Sequence, residues 1–162
     1  MSIGYLSSQG MNNVFSQWAT ADPNINQYGF GQLYNENGEP KVKQVYPGAW
    51  VNPTQTLVTT DWAVQRNYQI LIYDLVFVAA DGQSNQNKVI SDCEEIAFRL
   101  VRFLKYKSDV FDVIGVPTIQ PFSDKWLDSV SGVIIDIQLT FNGESSDCED
   151  PDYSFNIKTN EI

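Results

Sequence analysis

Histidine is absent from all 162 residues. This removes the side chain that most often moves protons near neutral pH, so a structural or binding role is expected ahead of catalysis. Cysteine is almost as scarce. Cys93 falls within a helical pattern and Cys148 within an acidic segment. Their separation fits no zinc or redox spacing, so both are expected as free thiols, Cys93 as a small buried hydrophobe. No run of ~18 apolar residues is present of the kind a membrane-spanning helix needs. The first nine residues also lack the basic start and apolar stretch of a secretory signal, so a soluble chain made inside the cell is expected. There is no internal repeat, no low-complexity tract and no phosphate-cradling glycine loop. Positive charge is in short supply, with ten Lys and Arg against twenty Asp and Glu for a net charge of −10. Tight, sequence-neutral nucleic-acid binding relies on cations displacing counterions from phosphates, and this balance disfavours it.

What the chain does contain is enough apolar material for one core: 43% of residues are hydrophobic and 13% aromatic, at a length usual for a single domain. The expected organisation is one α+β domain over 1–142 and an acidic arm over 143–162. Met11, Val14, Phe15 and Trp18 recur at helical spacing, with Ser7 or Ser8 placed to cap the helix and Asp22-Pro23 placed to end it. An insert at about 27–53 follows. Within it the stretches 30–34 and 41–46 flank the turn-rich 35–39 and predict a projecting β-hairpin. Residues 54–62, rich in Thr and Val, predict a strand starting after Pro53.

The most apolar stretch is 68–78. As a strand it sets Leu71, Tyr73, Leu75 and Phe77 on one side and Ile70, Ile72, Asp74, Val76 and Val78 on the other. Both sides are apolar, so a helix layer can cover only one of them. The second calls for either a neighbouring subunit or an internal layer formed by the 30–46 hairpin. Asp81-Gly82 then predicts a turn, and Ser84 or Asn85 a cap, before a helix over 86–105. Its apolar stripe is Val89, Cys93, Ile96, Ala97, Leu100 and Leu104. Acids Asp92, Glu94 and Glu95 come early in it and Arg99, Arg102 and Lys105 late, as the helix dipole favours. Over 131–141, Val133, Ile135, Ile137, Leu139 and Phe141 alternate with more polar residues and predict a strand with one buried face. The fold expected is therefore an antiparallel sheet with the long helix and the short N-terminal helix packed on one face.

Asp74 and Asp136 lie on the less apolar sides of their strands and, were these strands paired, would form the one constellation resembling catalytic carboxylates. Such a pair would hold magnesium or divide acid and base roles. A solvated position for each is the stronger expectation, since no third ligand accompanies them. The run Asp147-Cys148-Glu149-Asp150-Pro151-Asp152 lacks the ligand order and glycine of a calcium loop and reads as a solvated acidic arm. No metal, cofactor or catalytic residue is expected. Within the arm Tyr153, Phe155 and Ile157 alternate with polar residues, a pattern suited to adding a strand to a neighbour.

The order of elements, the run NYQILIYDLVFV at 67–78, the helix over 86–105 and the run DSVSGVIIDIQLTF at 128–141 together resemble the tail-terminator and tail-completion proteins of bacteriophages. They are also similar to the neck ring proteins of crAss-like phages. The resemblance covers about half the chain. It implies a structural virion protein, made in the host cytoplasm, that forms a homo-oligomeric ring in the neck or head–tail connector between portal and tail. DNA would pass through the channel without specific binding, and an acidic wall suits such passage. The surfaces expected to join subunits are Ile70, Ile72 and Val76 on the long strand and Tyr153, Phe155 and Ile157 in the arm. Two other classes stay open: a small acidic inhibitor or immunity protein that presents carboxylates to a basic enzyme, and a metal-dependent hydrolase using Asp74 and Asp136.

Overall fold

In the computed structural model, which describes residues 7–33, 40, 43–59, 63–106, 111–125 and 129–141, the first helix begins where the sequence offers its cap. The Ser7 hydroxyl accepts the Gly10 N–H at 3.1 Å, and α1 runs over Ser8–Ala21. Asp22 ends it, with its N–H bonded to the Trp18 carbonyl and Pro23 following. Met11, Phe15, Trp18 and Ala19 form the buried stripe, and Val14 packs at its margin. The second helix, α2, spans Gln86–Tyr106 and buries Val89, Cys93, Ile96, Ala97, Leu100 and Leu104, the stripe its periodicity predicts. Asn85 precedes it and works differently from a simple cap. Its side chain accepts the Phe77 N–H at 2.7 Å while its own N–H donates to the Phe77 carbonyl, tying the helix start to the end of the preceding strand.

Five strands form one sheet: β1 (Gln27–Phe30), β2 (Gly48–Val58), β3 (Val64–Leu75), β4 (Asp112–Lys125) and β5 (Val130–Phe141). The spatial order is β1-β2-β3-β5-β4, with every neighbouring pair antiparallel except β1 and β2. The architecture is thus α+β, with the helices on one face. The parallel pair β1–β2 is joined by the long connection 31–47, as a parallel crossover requires. Of the expected hairpin, Phe30 ends β1, and the turn-rich 35–39 lies outside the described residues.

Two expectations are corrected by the strands. β2 starts at Gly48 rather than after Pro53, and Pro53 sits where the β2–β3 register shifts between Pro53 and Gln55. Proline fits there because β1 flanks β2 only as far as Val51, so the missing N–H interrupts no second ladder. β4 is a strand that the pattern did not announce, since Gly115, Pro117 and Pro121 interrupt it. It occupies the edge, where the bulge between Ile114 and Thr118 absorbs Gly115 and Pro117, and Pro121, opposite Val133, interrupts no second ladder among the described residues.

The helix-facing side of the sheet is built by Ala49 and Val51 of β2, Tyr68, Ile70 and Ile72 of β3, and Val133, Ile135, Ile137, Leu139 and Phe141 of β5. Each fully buried Ile or Leu there contributes about 1.5–3 kcal/mol. The Phe15 ring meets Tyr68 edge-on at 5.1 Å, anchoring α1 on β3. Arg99 of α2 ties the two helices together, donating from Nε and Nη2 to the two Asp22 carboxylate oxygens at 2.9 and 3.1 Å. The opposite side of the sheet divides in two. At one end Trp50, Leu71, Tyr73, Phe122 and Val130 cluster under Leu33 and Tyr46. At the other, Asn52, Gln69, Asp136 and Thr118 line up across four strands, followed by Gln55, Asn67 and Gln138.

Gly132 is demanded by close approach, because a Cβ there would collide with the Ile72 carbonyl oxygen. Gly48 similarly lies under the Tyr73 ring, 2.7 Å from where its Cβ would stand.

Candidate subunit interface

Ile70 and Ile72, expected at a junction between subunits, are each 0% exposed and belong to the helix-covered core. Even-numbered β3 residues face the helices, so the side left over is that of Leu71 and Tyr73. There the chain's own Leu33 and Tyr46 supply an inner layer, the alternative that the doubly apolar strand left open. Val76 lies just past β3, half-buried, with its N–H bonded to the Ser129 carbonyl at 2.9 Å. Tyr153, Phe155 and Ile157 lie outside the described residues, as does the whole arm.

Asp74 and Asp136 do not meet. Asp74 stands opposite Ser131 and Asp136 opposite Gln69, five positions away along β3. That spacing alone is about 17 Å, and the odd difference places the two carboxylates on opposite faces of the sheet. Asp136 is exposed and accepts from Gln69 Nε2 at 3.4 Å.

Asp74 instead lines a cleft of about 370 Å³ shared with Asp92 and Glu95 of α2 and with Asn24, Asn26 and Pro47. Partial burial pushes its carboxyl above the ordinary range, with the Leu75 N–H opposing and the Asp92 charge adding to the rise. Lys88 sits nearby but pairs with Asp92 at 2.6 Å on an exposed helix face. Cys93 closes the cleft floor, and burial, reinforced by Asp74 and Asp92, pushes its thiol up to about 12. Such a thiol is a packing group rather than a nucleophile. Among the described residues no three Cys, Asp or Glu side chains converge as a metal-binding group.

Exposed large apolar residues lie at the two sides of the sheet, and also at Val45 and at Phe77 and Val78 between β3 and α2. Beyond Val51, β2 has only β3 beside it among the described residues, and its residues 53–58 are exposed. Leu57 and Val58 are exposed near the end of this β2–β3 hairpin, which the Thr59 N–H closes onto the Ala63 carbonyl at 2.9 Å. On the far side β4 has only β5 beside it among the described residues, and Val116, in its first bulge, is 87% exposed. Next to β4 the outer flank of α2 carries Phe98, 58% exposed, and Tyr106, 81% exposed. A groove of about 670 Å³ runs between this flank and Pro117 and Ile119 of β4.

Sequence reasoning placed none of these exposed apolar residues at an interface. Phe98 had a signal, since it is an aromatic residue off the buried stripe of an amphipathic helix. Val116 had none, because the strand that presents it was itself unmarked.

No protein-family model and no curated protein matches the chain. No helix among the described residues is long and apolar enough to cross a membrane.

Proposed function

We propose that the protein is a structural virion component whose subunits join head to tail in a ring around the DNA channel of a phage neck or head–tail connector, between portal or neck and tail. The observation that carries this reading is the presence of unlike sets of exposed apolar residues at the two sides of one sheet. Leu57 and Val58 mark the β2 side, and Phe98, Tyr106 and Val116 mark the β4 side. A ring built by rotation needs such a pair, because each subunit presents one patch to the neighbour before it and the other to the neighbour after it. The order of elements and the apolar runs at 67–78 and 128–141 support the resemblance to tail-terminator and neck ring proteins. The net charge of −10 suits a channel wall that DNA slides past.

The test is light scattering on the purified full chain across a range of concentrations. A connector subunit gives a mass that rises with concentration toward a fixed multiple of the protomer. The cleft lined by Asp74, Asp92 and Glu95 favours one competing reading, an acidic inhibitor that docks on a basic enzyme. That reading requires a stable monomer over the whole range.

A further inference from the structure

The groove between α2 and β4 carries positive charge on an acidic chain. Its α2 wall presents Phe98, Val101, Arg102, Lys105 and Tyr106, which is an apolar stripe at helical spacing with two cations set into it. Arg99 and Lys88 are already paired with Asp22 and Asp92, whereas Arg102 and Lys105 hold no ion pair among the described residues. In a chain with twice as many acids as bases, a basic and aromatic groove matches a specific occupant: an acidic segment with apolar residues at intervals. The chain contains such a segment. Glu149, Asp150 and Asp152 lead directly into Tyr153, Phe155 and Ile157.

We infer that the groove lined by Phe98, Arg102, Lys105 and Ile119 receives the C-terminal segment 149–157 of a second copy of this chain. This rests on the ring reading and names the junction within it. The acids meet Arg102 and Lys105, and Tyr153, Phe155 and Ile157 cover Phe98, Val101 and Tyr106.

A second copy is permitted by reach and favoured by charge. The eleven residues between Phe141 and Tyr153 span up to about 36 Å when extended, nearly twice the ~19 Å across a five-stranded sheet. They also carry Glu144, Asp147, Glu149, Asp150 and Asp152 without a single base, and a like-charged linker favours extension away from an acidic body. The contact is made by side chains. Pro117, Pro121 and two bulges blunt the β4 edge against a continuous added strand.

The experiment uses full-length chains only. One variant alters the groove (R102E/K105E) and another alters the arm (Y153S/F155S/I157S); circular dichroism and thermal melts check that each keeps the wild-type fold. A second groove variant, Phe98→Ser, removes apolar surface without reversing charge. Each variant alone is expected to lose the higher-mass species seen for wild type, with the association constant falling at least about tenfold. Mixing the groove variant with the arm variant is then expected to give a two-chain species and nothing larger. In that pair one chain has an intact groove and the other an intact arm, so only one junction can form. Variants that assemble as wild type does would overturn the inference while leaving the ring reading in place. Monomeric variants that yield no two-chain species on mixing would overturn it in favour of an arm folded on its own molecule. A wild-type chain that stays monomeric at every concentration removes both the inference and the reading.

Discussion

Removing either partner of the Asp22–Arg99 pair should cost different amounts, because the two ends of the bridge are buried to different degrees. The Asp22 side chain is 4% exposed, whereas that of Arg99 is 39% exposed. Besides the two guanidinium N–H groups, the carboxylate accepts one other described donor, the Asn24 N–H at 3.0 Å. Arg99→Met keeps the aliphatic stem but leaves a buried anion with a single donor. Breaking a buried pair in this way costs ~3–5 kcal/mol, and the retained Asn24 bond argues for the lower end, about 3 kcal/mol. Asp22→Asn keeps an oxygen for Asn24 and leaves a guanidinium that water can reach, so about 1 kcal/mol is expected. In a chain of this size these correspond to melting-temperature losses of roughly 6–12 °C and 2–4 °C. The double variant should cost less than the two singles combined, since the orphaned charge is then gone. Urea titrations followed by tryptophan fluorescence and circular dichroism provide the free energies. Equal costs for the two single variants, or a larger cost for Asp22→Asn, would refute the reasoning.

Three further outcomes follow from the core and the cleft. Gly132→Ala should destabilise the protein by several kcal/mol or prevent folding, because the new methyl meets the Ile72 backbone, which cannot swing aside as a side chain can; a melting temperature within a degree or two of wild type would contradict the packing described. Cys93, studied in a Cys148→Ser background, should resist thiol reagents at pH 8 in the native state and react on unfolding, since burial holds its thiol near 12; rapid stoichiometric labelling of folded protein would count against this. For Asp74 the folded carboxyl titrates above the unfolded value near 3.8, so its contribution to stability is complete below that value and is lost as pH rises through the folded one. Asp74→Asn should therefore match wild type below about pH 4 and become the more stable of the two as pH increases, and a gap that instead widens toward acid would reverse the assigned cause.

Elements that declare themselves by periodicity were readable from the residues. The six buried positions of α2 are those of its stripe, and Val133, Ile135, Ile137, Leu139 and Phe141 face the core as their alternation requires. Ser7 and Asp22 bound α1 by the capping chemistry that their types advertise. What stayed hidden depends on long-range pairing. A strand's register against its partner decides whether Asp74 and Asp136 share a face, and nothing local to either strand encodes it. Ile70 and Ile72 were indistinguishable from Leu71 and Tyr73 as interface candidates because both sides of β3 are apolar. Only the placement of the helices separates the two sides. β4 was invisible because an edge strand with two bulges tolerates the glycine and prolines that a central strand would reject.

A ring requires that identical subunits close on one another. Electron microscopy of the purified full-length chain, at concentrations where light scattering detects association, tests this directly. The predicted result is class averages of closed rings with a central opening and one dominant subunit number. Isolated single-chain particles, or symmetric two-chain particles with no opening, would contradict it.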